Sequence, residues 1–177
     1  MTTHELEALY GHVREVPDFP RPGVAFKDIT PLLLEARLFR QAVELMTAPF
    51  HGGRVTRVIS IESRGFLLGA PIALALDAGL VPIRKPGKLP GERSRVEYAL
   101  EYGTDALEMH RDAVTARDRV LIVDDVLATG GTAEAAAKLA RASGAAVVGF
   151  TFLIELDFLK GRARLAGERV EALLHYA

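Results

Sequence analysis

The sequence predicts an α/β fold, with a central, mostly parallel sheet flanked by helices. Three observations carry this reading. Short apolar runs that fit strands buried on both faces, at 55–61, 80–83, 120–123 and 146–154, alternate with helical patterns. Two of these runs lead directly into turns suited to ligands, Glu62-Ser-Arg-Gly65 and Asp124-Asp-Val-Leu-Ala-Thr-Gly-Gly-Thr132. The 177 residues, 49% of them hydrophobic, suffice for a single domain, 1–177, with a substantial core.

In chain order, Thr2 with Glu5 resembles a capping box, and Leu6, Leu9, Tyr10 and Val13 then share one helical face. Pro17 to Gly23 reads as a rigid, extended connector, because each proline fixes its own φ and biases the residue before it. Val24 to Ile29 is a short strand-like piece. Thr30-Pro31 looks like a cap followed by proline at the first helical position, and Phe39, Ala42, Val43, Met46 and Phe50 mark a second amphipathic helix.

The core begins at Val55. Gly65 to Asp77 reads as a helix so apolar that it must be covered on most sides, with Pro71 expected to bend it. Arg84 to Arg93 places four cations in ten residues among prolines and glycines, the composition of a hinged loop that can close over a charged ligand. Ser94 to Leu100 and Ala106 to His110 read as the arms of a hairpin. Thr132 to Ser143 is a helix with Gly144 as its stop, Asp157 to Leu165 a short helix and Val170 to His175 a final strand.

Composition excludes several classes. Twenty-two basic against 23 acidic residues, net charge −1, give no electrostatic ground for nucleic acid or an anionic membrane surface. With no cysteine there are no disulfides or thiolate metal sites, which suits a cytoplasmic protein. The first residues lack the basic head and apolar stretch of a signal peptide, so a soluble intracellular protein is expected.

The segment Val120 to Thr132 carries the most chemistry. After its strand, two glycines allow a tight turn, and the following helix N-terminus offers N–H groups and a favourable dipole to an anion. Thr129 and Thr132 add hydroxyl donors, so a phosphate fits. Asp124 and Asp125 would repel a bare phosphate and must face another part of the ligand, such as sugar hydroxyls or a magnesium ion. A sugar phosphate satisfies both halves. The turn has neither the lysine of a Walker A loop nor a G-x-G-x-x-G. At the same sheet edge, Arg64 with the Ser63 and Gly65 amides could hold a pyrophosphate.

These residues resemble the type I phosphoribosyltransferase family. Val120 to Thr132 is similar to its phosphoribosyl pyrophosphate signature. Further motifs, Pro17-Asp-Phe-Pro-x-Pro-Gly-Val24, Phe26-x-Asp-Ile29, Ser63-Arg-Gly-Phe66, Arg84-Lys-Pro-Gly-Lys-Leu-Pro90, Leu100-Glu-Tyr-Gly103 and Leu159-Lys-Gly-Arg162, resemble the branch that takes adenine. The similarity spans roughly Glu15 to Arg162.

The resemblance implies a hood or base-recognition segment over about 1–35 and a core over about 36–177, with a lid near 84–106. It implies that Asp124 and Asp125 hold the ribose hydroxyls, directly or through magnesium and water, while Ala128, Thr129, Gly130, Gly131 and Thr132 cradle the 5-phosphate. Glu62, Ser63, Arg64, Arg84 and Lys88 would bind pyrophosphate, with the Glu62–Ser63 peptide cis. Phe26 would cover adenine, and the Ala25 and Lys27 backbone would read its edge. Glu101 would handle the purine proton, with Arg64 also catalytic, and Tyr102 would help close the lid. The expected reaction transfers phosphoribose from phosphoribosyl pyrophosphate to adenine, giving AMP and pyrophosphate, with Mg2+ as cofactor and a homodimer as assembly. Ala25, Lys27 and Glu62 stand where some relatives carry Val, Arg and Asp. Two rivals remain: a transferase for xanthine or hypoxanthine, and a regulator that senses the donor without catalysis.

Overall fold

A computed structural model of the chain describes residues 3–99 and 104–177. Contacts divide it into two compact units, Met1–Glu44 and Leu45–Ala177. In the first, helix α1 (Thr3–Gly11) leads to strand β1 (Arg14–Val16), which pairs antiparallel with β2 (Phe26–Asp28) in the register Val16 opposite Phe26. Thr2 lies outside the described residues. The connector between the strands is not extended as expected. It folds back on itself, the Phe19 N–H donating to the Val24 carbonyl at 3.2 Å and the Gly23 N–H to Asp18 Oδ1 at 2.8 Å; the Phe19–Pro20 peptide is cis. Gly23 sits at φ 84°, which lets the loop return and makes the unanticipated β1–β2 pair possible.

Helix α2 (Thr30–Leu34) begins at the expected place with a different cap. Thr30 is already helical, and its N–H donates to Asp28 Oδ1 at 2.9 Å, so the aspartate two residues upstream satisfies the helix start. Helix α3 (Ala36–Thr47) ends in a 3-10 turn at Ala48–Phe50 and carries the expected apolar face, with Ala42, Val43 and Met46 buried.

The second unit is built on five strands, β3 (Arg57–Ile61), β4 (Gly79–Ile83), β7 (Arg119–Leu127), β8 (Ala146–Leu156) and β9 (Val170–Tyr176), all parallel in the order β4-β3-β7-β8-β9. Between β4 and β7 the chain forms the antiparallel hairpin β5 (Arg93–Ala99) and β6 (Thr104–His110), as the sequence predicts. Helix α4 (Gly65–Ala75) joins β3 to β4, and α5 (Gly131–Ala142) joins β7 to β8. From β3 the chain steps outward one way, and from β7 it steps the other. Right-handed crossovers then put the two helices on opposite faces.

Side-chain alternation agrees. Ile59, Ile61, Val120 and Ile122 join the alanines of α5 in one core cluster. Ser60 points the other way, against Gly69 of α4. The strands are buried on both sides, which explains their near-continuous apolar runs.

Both helices close with a left-handed residue. Gly144 (φ 83°) ends α5 with the Ala145 N–H on the Ala140 carbonyl, and Asp77 (φ 52°) ends α4 with the Ala78 N–H on the Ala73 carbonyl. Helix α4 runs unbroken through Pro71. The stretch expected as one helix from Asp157 is two 3-10 turns, Asp157–Leu159 and Gly161–Leu165, separated by Lys160 at φ 53°.

A Cβ on Gly69 would lie 2.3 Å from Ser60 Oγ, so α4 and β3 meet with no space for a methyl group. Glycine to alanine in a helix ordinarily stabilises by about 1 kcal/mol. Gly69→Ala should instead lower unfolding free energy by about 1–3 kcal/mol in urea titration. Adding Ser60→Gly should recover most of it.

Candidate functional site

Parallel topology delivers two turns to one place. The strand order reverses between β3 and β7, so the crevice beyond their carboxyl ends is the switch point where α/β sheets hold ligands. From β3 emerges Glu62-Ser63-Arg64, with the Glu62–Ser63 peptide cis, as expected. Strand β7 runs further than expected and includes Asp124 and Asp125, which places both acids on rigid sheet backbone before the loop Ala128–Gly130 and the start of α5.

Glu62, Ser63, Arg64, Asp124, Asp125 and Thr132 line a cavity of about 230 Å³, together with Lys85, Tyr98, Ile61 and Leu107. Asp124 and Thr132 also border a smaller hollow walled by Ala128, Thr129, Gly130 and Ala133. The carboxylate pair and the glycine loop therefore open onto adjoining spaces, one shaped by acids and cations, the other by loop backbone. The first N–H groups of α5 have no partners within the helix and are available there to an anion.

Close approaches explain the glycines. A Cβ on Gly65 would meet Asp124 Oδ1 at 2.7 Å, so only glycine lets α4 begin this close to the acid pair. Gly130 takes φ 80°, and a Cβ there would meet the Gly161 carbonyl oxygen at 2.4 Å; one on Gly161 would meet the Ala128 carbonyl oxygen at 2.1 Å. Gly161, in the motif Leu159 to Arg162, is thus the floor of the phosphate-type loop.

The acids are costly. Burial, then the neighbouring charge of Asp125, pushes Asp124 well above the ordinary carboxylate range. Burial also raises Asp125, against the pull of Arg64, whose Nε lies 2.8 Å from Asp125 Oδ2. Two adjacent carboxylates held this way want hydroxyl donors or a cation. Their hard oxygen donors fit magnesium, directly or through water. A separate cluster, Glu155, Asp157 and His175, has ligand atoms within 4.8 Å of one another, but Arg162 binds both Glu155 oxygens, which argues against a cation there.

The predicted cations Arg84 and Lys88 converge on Glu62. Lys88 Nζ is 2.7 Å and Arg84 Nη2 3.1 Å from Glu62 Oε1, while the Lys85 N–H donates to Oε2 at 3.0 Å. Although burial pushes Glu62 up, these donors, Lys88 foremost, hold it down at about 2.

The basic loop is also fastened to β6. Arg84 and Glu108 exchange backbone hydrogen bonds, and the buried Glu108 carboxylate takes the Gly87 N–H at 3.0 Å and Arg93 Nε at 3.1 Å. Lys85, one of the four cations but assigned no role from sequence, reaches the cavity and pairs with Asp105, which also accepts from Tyr98 Oη at 3.2 Å. The cation count of the loop could have pointed to Lys85. Tyr98 and Asp105 become partners only through the β5–β6 register, which no local pattern reveals.

Ala25, Phe26 and Lys27 belong to the first unit. There Phe26 meets Phe19 edge to face at 5.1 Å, and Lys27 pairs across the strands with Glu15. Glu101 and Tyr102 lie outside the described residues.

A phosphoribosyl transferase domain family matches residues 35–169. An adenine phosphoribosyltransferase of Myxococcus xanthus is 61% identical over 169 residues, 95% of this chain and 91% of that one. Among solved structures, the adenine phosphoribosyltransferase of Rhodothermus marinus superposes with a TM-score of 0.95 at 53% identity, covering 99% of this chain and 100% of its own. The Saccharomyces cerevisiae adenine phosphoribosyltransferase, solved with an imino-altritol bisphosphate and adenine, gives 0.91 at 37% identity over 98% and 100%.

Because the folded-state value of Asp124 is raised, its ionised form costs stability at neutral pH, and that cost fades as pH falls through the raised value. Without ligand or metal, Asp124→Asn should therefore be the more stable protein at pH 7.5, by about 0.5–2 kcal/mol. Melting curves should show the advantage shrinking as the buffer is made acidic.

Proposed function

The chain belongs to the phosphoribosyltransferase family, in its adenine branch, and we infer from this and the site that it transfers 5-phosphoribose from phosphoribosyl pyrophosphate to adenine, releasing AMP and pyrophosphate. The observation that carries the reading is the adjacency of a buried acid pair, a glycine loop at a helix N-terminus and a cation-bearing turn at one switch point. A donor with ribose hydroxyls, a 5-phosphate and a pyrophosphate matches those three parts.

In this reading Asp124 and Asp125 accept from the ribose hydroxyls, and the loop from Ala128 to Thr132 holds the 5-phosphate. Arg64, Arg84 and Lys88 face the pyrophosphate, and Lys85, which lines the cavity beside Arg64, adds to them. Magnesium, carried near Asp124 and Asp125, would neutralise charge on the donor's oxygens. As the C1–pyrophosphate bond lengthens, positive character develops on the ribose and negative charge on the leaving group. The cations stabilise the leaving group, and the buried carboxylates face the developing positive charge.

The adenine nitrogen then bonds to C1, and Glu101 accepts the proton that the purine must lose. Phe26 with the Ala25 and Lys27 backbone recognises adenine, and Tyr102 helps exclude water. An oxo-purine would need a donor facing its carbonyl, which the side chains of Ala25, Phe26 and Lys27 do not evidently supply.

A homodimer and a cytoplasmic location complete the reading. On α4, Leu67 and Leu74 are seven residues apart on one face, and Leu74 is 84% exposed, an apolar strip suited to a two-fold contact. Among the described residues no helix is long and apolar enough to cross a membrane.

Pyrophosphate release, measured with adenine, hypoxanthine, guanine and xanthine in turn, tests the acceptor. Adenine should exceed the others by about 10⁴ in kcat/KM, the discrimination available when hydrogen bonds must match. A preference for any other purine refutes it. Glu101→Ala should lower kcat by about 10²–10⁴ with little change in donor affinity; unchanged turnover would remove Glu101 from the mechanism.

A further inference from the structure

A carboxylate is an unexpected companion for a pyrophosphate, yet Glu62 is 9% exposed at the turn assigned to that group. Both of its oxygens are committed to the basic loop. Oε1 takes Lys88 Nζ and Arg84 Nη2, and Oε2 takes the Lys85 N–H. Arg84 is held a second time, by Nη1 on the Lys88 carbonyl at 3.0 Å, so two bonds fix its guanidinium. Its Nε is buried and, among the described residues, finds no acceptor. An unsatisfied buried guanidinium donor is expensive unless something absent completes it. Lys88 is half exposed, and the one bond to Glu62 leaves two ammonium donors for another anion.

We propose that Glu62 is a positioning residue for the donor's pyrophosphate, its carboxylate setting Arg84 and Lys88 in the orientation from which their remaining donors reach the phosphate oxygens. The alternative, that Glu62 only competes with pyrophosphate for the same cations, fits less well. The cations are not used up by the carboxylate, and one negative charge against two positive ones leaves the cluster cationic. Released from Glu62, Lys88 and Arg84 are long side chains that must be ordered anew each time the donor binds. Their order would then be drawn from binding energy.

This rests on the pyrophosphate role proposed above for Arg84 and Lys88, and its test reads the donor rather than the acceptor. Glu62→Gln keeps the size and the acceptor for the Lys85 N–H while removing the charge. It should raise KM for phosphoribosyl pyrophosphate by about tenfold and leave KM for adenine within about twofold, while Tm falls because the charge held down by Lys88, Arg84 and the Lys85 N–H is gone. Glu62→Asp should restore donor KM most of the way. In the Lys88→Met background, Glu62→Gln should raise donor KM by clearly less than its own tenfold, because only the Arg84 part of its role is left to lose.

A donor KM unchanged or lowered in Glu62→Gln overturns the proposal, as does an equal rise in both KM values, or full additivity in the double variant. Wild-type protein that uses another purine in place of adenine would refute the acceptor assignment and leave this inference standing.

Discussion

Two adjacent carboxylates at the buried end of a central strand constrain everything placed near them. Burial and the charge of Asp125 push Asp124 up, and burial pushes Asp125 up against the pull of Arg64. The fold contributes only partial compensation, namely Arg64 on Asp125 and the Asp125 N–H on Asp124 Oδ1. Gly65 lets α4 start against Asp124, and Gly130 with Gly161 lets the loop fold down beside it. A purely structural strand end would gain by replacing these acids, so their place here argues for a ligand that completes them.

The rim of the crevice shows the complementary arrangement, in which cations are stored on acids. Arg64 rests on Asp125, Arg84 and Lys88 on Glu62, Lys85 on Asp105 and Arg93 on Glu108. The basic loop is consequently docked along β6, with the Arg84 to Glu108 bridge as its seam. From Arg84 to Arg93 the basic loop is held against β6 through the Gly87 N–H and Arg93 on Glu108.

Much of this was legible in the sequence because it depends on local pattern. The apolar runs of β3, β7 and β8 predict buried parallel strands, and Asp124 to Thr132 carries its chemistry in consecutive residues. Gly144 was readable as a helix stop. What stayed hidden depends on register or on distant partners. The β1–β2 pair depends on the turn at Gly23; Asp28 accepts the first N–H of α2 in place of Thr30. Glu62 as a junction of two cations, Glu108 as the anchor of the loop and Tyr98 with Asp105 are relations across 7 to 26 positions that periodicity does not encode. Gly161 could be singled out as part of a motif, but its function as floor beneath Ala128 emerges only from packing.

The central claim is that the acid pair is held in an unfavourable state so that ribose hydroxyls can complete it. Calorimetric titration of phosphoribosyl pyrophosphate with magnesium present, into wild-type protein and into Asp124→Asn with Asp125→Asn, tests this most directly. The account predicts that the double variant folds and loses donor affinity by about 100-fold or more, two charge-assisted hydrogen bonds at about 1.5 kcal/mol each. Equal affinity in the two proteins would contradict it.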